Sequence, residues 1–162
     1  MSDGGASVYL ELRDLLLEMN PYDHGFEPTE RLPHLWGVMV EVGFCGGSAT
    51  LVSLADGTTS LYLSNGETTV GVGEAAPVAS ASRRLVALAD AAMSRVPPIW
   101  DQPLPEPGRA RFVFLTYQGP VGAEAGEAEL NQGSHPLSAA YKASGKVLTQ
   151  IDRLRAAIPP AT

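Results

Sequence analysis

From position 6 the apolar residues fall at helical spacing. Val8, Tyr9, Leu12, Leu15, Leu16 and Met19 form one stripe and predict a helix over 6–19. Asn20-Pro21 ends it, because proline pushes the residue before it out of the α region. Over 35–42 the period changes to two, with Trp36, Val38, Val40 and Val42 expected on one face. The runs ATLVSLA, TTSLYLS and ETTVGV that follow are rich in β-formers. Between them stand Asp56-Gly57 and Asn65-Gly66, the preferred dipeptides of two-residue type I′ hairpin turns. Such turns set Val52 opposite Leu61 and Leu61 opposite Val70, on a single face. Upstream, a three-residue loop Cys45-Gly46-Gly47 sets Val40 opposite Val52 and keeps the apolar faces together. The pattern therefore predicts a four-stranded antiparallel meander over 35–72.

Helical spacing returns over 77–96, through Val78, Leu85, Leu88, Ala89, Ala92 and Val96, with Pro77 tolerated in the first turn. The segment 97–108 holds five prolines in twelve residues, which makes it an extended surface connector. Two further strands are expected within 111–128, joined at Gln118-Gly119-Pro120. A last helix is expected over 136–158, with Gly145 a place to bend. The order α-β-β-β-β-α-β-β-α describes one α+β domain, an antiparallel sheet of about six strands with three helices. At 162 residues, 44% of them hydrophobic, the chain can bury a core of its own.

Charge narrows the partners. A net charge of −7 argues against nucleic acid and against an anionic membrane, since both need a basic face and the best local basic pair is only Arg83-Arg84. One cysteine, Cys45, excludes an internal disulfide and a multi-cysteine zinc site. No apolar run approaches the roughly 18 residues a membrane span needs, and MSDGGAS is no leader peptide, so the expected location is cytoplasmic.

Candidate chemistry is thin. Gly71-Val72-Gly73-Glu74-Ala75-Ala76 has the spacing G-x-G-x-x-A of a dinucleotide loop, but it closes a meander instead of opening a βαβ unit. Ser144-Gly145-Lys146 lacks the glycine cradle of a phosphate loop and lies inside a helical pattern. No cofactor is expected. Asp23, His24, Glu27 and His34 are candidate metal ligands, outweighed by their reading as a solvated connector. Cys45 lacks positive charge to make it a thiolate. Ser134 before His135 reads as a helix cap, and Glu124, Glu127 and Glu129 as a solvated edge.

The element order resembles that of the type III secretion chaperones, in which a first helix precedes a meander, a helix, more strands and a last helix. The hairpin Leu54-Ala55-Asp56-Gly57 with the alanine-rich segment 78–93 after it is similar to the roadblock/profilin-like group, which has one fewer strand before that helix and one more after. Both groups are small homodimeric binding proteins. The resemblance implies a dimeric binding module and no particular site residue.

The expected function is a non-enzymatic protein-binding or self-associating module, with a homodimer as the first expectation. The alternatives are a small-molecule or metal-binding domain, or an enzyme whose site is assembled from distant residues. Its interaction surface is expected on a sheet face bearing Leu51, Tyr62, Val113, Leu115 and Tyr117, at Trp100 in the proline-rich strip, or on the first helix.

Overall fold

The computed structural model describes residues 3–157. Helix α1 spans Asp3–Glu18, and Asn20 then caps a short 3-10 turn at Pro21–His24 by accepting the Tyr22 N–H. Strands β1 (Leu35–Phe44), β2 (Gly47–Leu54), β3 (Thr59–Leu63) and β4 (Thr68–Thr69) form the meander. Helix α2 (Ala76–Met93) leads through the proline-rich connector to β5 (Arg109–Thr116) and β6 (Gly119–Gly126). A short helix α3 (Glu127–Gln132) and the long α4 (Ser138–Ala157) complete the described chain. The six strands pair antiparallel in the order β4-β3-β2-β1-β5-β6.

The α+β class and the order of the main elements are as the pattern predicts; α3 is an addition, and Ile158, expected in the last helix, lies outside the described residues. The register is different at every turn of the meander. Val52 pairs with Ser60 and Leu51 with Leu61, one residue away from the expected pairing. Likewise Leu61 pairs with Thr69, not Val70, and Val40 with Leu51, not Val52.

The physical reason lies in the turns. A type I′ turn needs positive φ at both central residues, yet only the glycines, Gly57 at +92° and Gly66 at +95°, adopt it. Asp56 and Asn65 instead accept the N–H two residues on, from Thr58 and Glu67, each at 2.9 Å. The loops are therefore three residues long and close with the glycine as a bulge. At Cys45-Gly46 the loop is two residues, with Gly47 pairing Phe44. Gly57→Val is expected to destabilise the protein by about 1–3 kcal/mol, since a β-branched residue is strained at this φ. An unchanged urea midpoint would contradict this turn.

A bulge in β1 between Leu35 and Gly37 changes the faces again. Leu35, Val38 and Val40 join Leu51 and Leu61 in one core, against Leu85 and Ala89 of α2 and Ala140, Val147 and Ile151 of α4. Trp36, expected beside Val38, instead joins Met39, Val52, Leu54, Tyr62, Val113 and Leu115 in a second core under Tyr9 and Leu16 of α1. The sheet is thus apolar on both faces, with helices on each. Every fully buried leucine or valine here contributes about 1.5–3 kcal/mol by leaving water.

The expected fourth strand is cut short. β4 holds only Thr68–Thr69; Val70 is 63% exposed and Val72 enters a 3-10 turn. The connector is a strap and not a free strip. Ile99 and Gly122 exchange two backbone hydrogen bonds of 2.7 Å, which pairs the open edge of β6 at Gly122, and the strap ends beside Gly43 of β1.

Candidate functional site

The core against α2 and α4 does not close everywhere. Between β1–β3 and the α3–α4 corner lies a cleft of about 990 Å³. Its floor is aliphatic: Val40, Val42, Leu51 and Leu61 from the sheet. Its other wall is α4, which presents Ala139, Ser144 and Gly145 where bulkier side chains would fill the space. A Cβ placed at Gly145 meets no atom within 4 Å. The hollow is bounded on its helix side by these small residues. At its lip stand Phe44, 46% exposed, and Leu148, 37% exposed.

One polar pair marks the cleft. Tyr141 Oη donates to Glu127 Oε1 at 2.8 Å, and Ser144 Oγ donates to the Tyr141 carbonyl at 2.6 Å. Burial first, and then the hydrogen bond and charge of Glu127, push the Tyr141 phenol up to about 12. Because its folded value is raised, the contribution of neutral Tyr141 is whole below pH about 10 and is lost as pH rises toward the folded value. In absorbance titration at alkaline pH, Tyr141→Phe is expected to remove a tyrosine that titrates at about 12 and to leave the raised Tyr117 in place. Loss in that variant of a tyrosine titrating in the ordinary range, about 10, would contradict the pairing.

On the opposite face a buried ionic network ties α1 to the sheet. Glu41 is fully buried and accepts from Arg13 Nε at 2.7 Å, Arg13 Nη2 at 2.8 Å and Thr50 Oγ1 at 2.8 Å. Arg13 also donates to the Gln102 carbonyl of the strap at 2.6 Å. Burial works to lower the Arg13 pKa, but hydrogen bonding and charge from Glu41 outweigh it and hold it above the ordinary value. Arg111, paired across the strands with Glu41, reaches Asp101 O and Glu124. Among the described residues its Nε is buried without a hydrogen-bond partner.

The structure places Leu51 in the cleft floor, buried. Tyr62, Val113 and Leu115 lie on the other face, buried beneath α1, so the expected single face divides into two. Tyr117 is half-buried with its ring 5.5 Å from Tyr22, and Trp100 projects from the strap, 73% exposed.

Asp23, His24 and Glu27 are exposed around the Pro21–His24 turn, while His34 Nδ1 turns to Asp90 at 3.2 Å. Among the described residues no three His, Cys, Asp or Glu side chains gather to hold a metal ion. Cys45 is exposed in its turn. Gly73 packs where a Cβ would strike the Gly57 carbonyl and Gly71 adopts φ +71°, which together account for the two glycines of the G-x-G-x-x-A spacing. Ser134 is no helix cap at an N-terminus; it follows α3 and donates to the Glu129 carbonyl. Glu124 meets Arg109 and Arg111, and Glu127 meets Tyr141, so neither is a plain solvated edge residue.

No family model matches the chain, and no curated protein or solved structure matches it significantly. No helix among the described residues is long and apolar enough to cross a membrane.

Proposed function

We propose that the protein is a non-enzymatic, self-associating binding module, and that its docking surface is the cleft between the meander and α4. One observation carries the reading. Apolar knobs, Phe44 and Leu148, stand at the lip of an apolar hollow on the same face. A surface that offers both knob and hole can be complementary to itself across a twofold axis, the commonest symmetry of small homo-oligomers. The occupant is a second copy of this chain, which would cover side chains that a single copy leaves in water.

The polar groups suit burial better than turnover. Tyr141 and Glu127 satisfy each other, and the remaining floor is aliphatic. The test is the mass in solution of the wild type and of Gly145→Phe, which fills the hollow from within. Loss of association in that variant supports the reading; an unchanged mass would remove the cleft from the interface.

A further inference from the structure

A second cleft, of about 490 Å³, shares no lining residue with the first: it is bounded by the 3-10 turn after α1, the end of α2, the strap and the β5–β6 hairpin. Its walls are unusually aromatic. Tyr22 and Tyr117 stand with ring centroids 5.5 Å apart at an interplanar angle of 45°, forming a corner. Trp100 lines the same space from the strap, and Phe114 contributes from β5. Tyr22 is 55% exposed and Trp100 73%, large aromatic surface that the chain's own core does not use.

Among the described residues no lysine or arginine lines this cleft. His34 lines it, with its Nδ1 3.2 Å from Asp90, and that carboxylate is fixed by the backbone N–H groups of His34 and Leu35 at 3.1 and 3.0 Å. Burial first, and then Tyr22, Glu27 and Asp90, push the Tyr117 phenol above its ordinary value. Aromatic faces attract cations through their quadrupole, and a weakly hydrated cation gains most because it is cheapest to desolvate.

We propose that this cleft binds an organic cation of the trimethylammonium class, seated against the outer faces of the Tyr22–Tyr117 corner and beside Trp100. The aromatic faces supply the attraction, the Asp90 carboxylate stands behind His34 at the cleft wall, and the absence of lining lysine or arginine removes the repulsion.

Choline and its neutral isostere 3,3-dimethylbutan-1-ol separate charge from shape. Each is titrated into the whole protein at pH about 8, above the ordinary histidine range, with the Trp100 indole resonance as the readout. Choline is expected to saturate the site, with the neutral isostere about tenfold weaker. Trp100→Leu, which keeps an apolar wall at an exposed position, is expected to weaken choline by a similar factor, followed then on the Tyr117 ring signals. Equal affinity for the two probes would make this an apolar hollow and overturn the proposal. So would no response to choline in the millimolar range, or saturation by a proline-rich peptide with none by choline.

Discussion

Arg13→Ala is expected to cost about 3–5 kcal/mol of stability, because it strands a buried carboxylate. Glu41 has no exposure to water, and Arg13 supplies two of the three hydrogen bonds it accepts. The same substitution frees the Gln102 carbonyl, so it loosens the strap as well as α1. Removing both charges is a different matter. In Arg13→Met with Glu41→Leu, desolvation no longer opposes folding, and most of the loss is expected to return. Urea unfolding of the single and double variants measures both. A single-variant loss below about 1 kcal/mol, the range of an exposed pair, would show that this network is solvated.

That network explains part of what the sequence conceals. Along β1, Glu41 reads as a polar residue on a solvent-facing side, and Arg111 reads the same way in β5. Only the β1–β5 pairing, between strands distant in sequence, sets them side by side beneath α1. The hairpins were legible because Asp-Gly and Asn-Gly punctuate β-forming runs. Their register was not, since an Asx side chain before glycine serves a three-residue loop as well as a two-residue one. With both faces apolar, hydrophobic alternation could not arbitrate a one-residue slip. The bulge beside Trp36 has no signature in the alternation it interrupts. The cleft was hidden for a simpler reason: it is built from missing side chains at Ala139, Ser144 and Gly145, which in a helix look like ordinary small residues.

Gly145→Phe is the sharpest perturbation of the proposed interface. The position faces open space, so the larger side chain meets no atom of the backbone or core at its Cβ. Glycine within a helix costs about 0.5–1 kcal/mol relative to alanine, so stability is expected to hold or rise. Association is expected to weaken roughly thirtyfold or more, the effect of losing about 2 kcal/mol at the centre of an interface. Gly145→Ala separates the two effects. It removes the helix penalty but leaves most of the hollow, and it is expected to be more stable than the wild type and still associated. Equal weakening in both variants would mean that the helix backbone, and not the volume of the hollow, controls association.

The most direct measurement is the mass of the unmodified protein by light scattering coupled to size exclusion at micromolar concentration. The proposed self-association predicts twice the 17.0 kDa chain, about 34 kDa, across the elution peak, falling toward the single-chain value on dilution. A constant mass of 17.0 kDa at every concentration would contradict the homodimer.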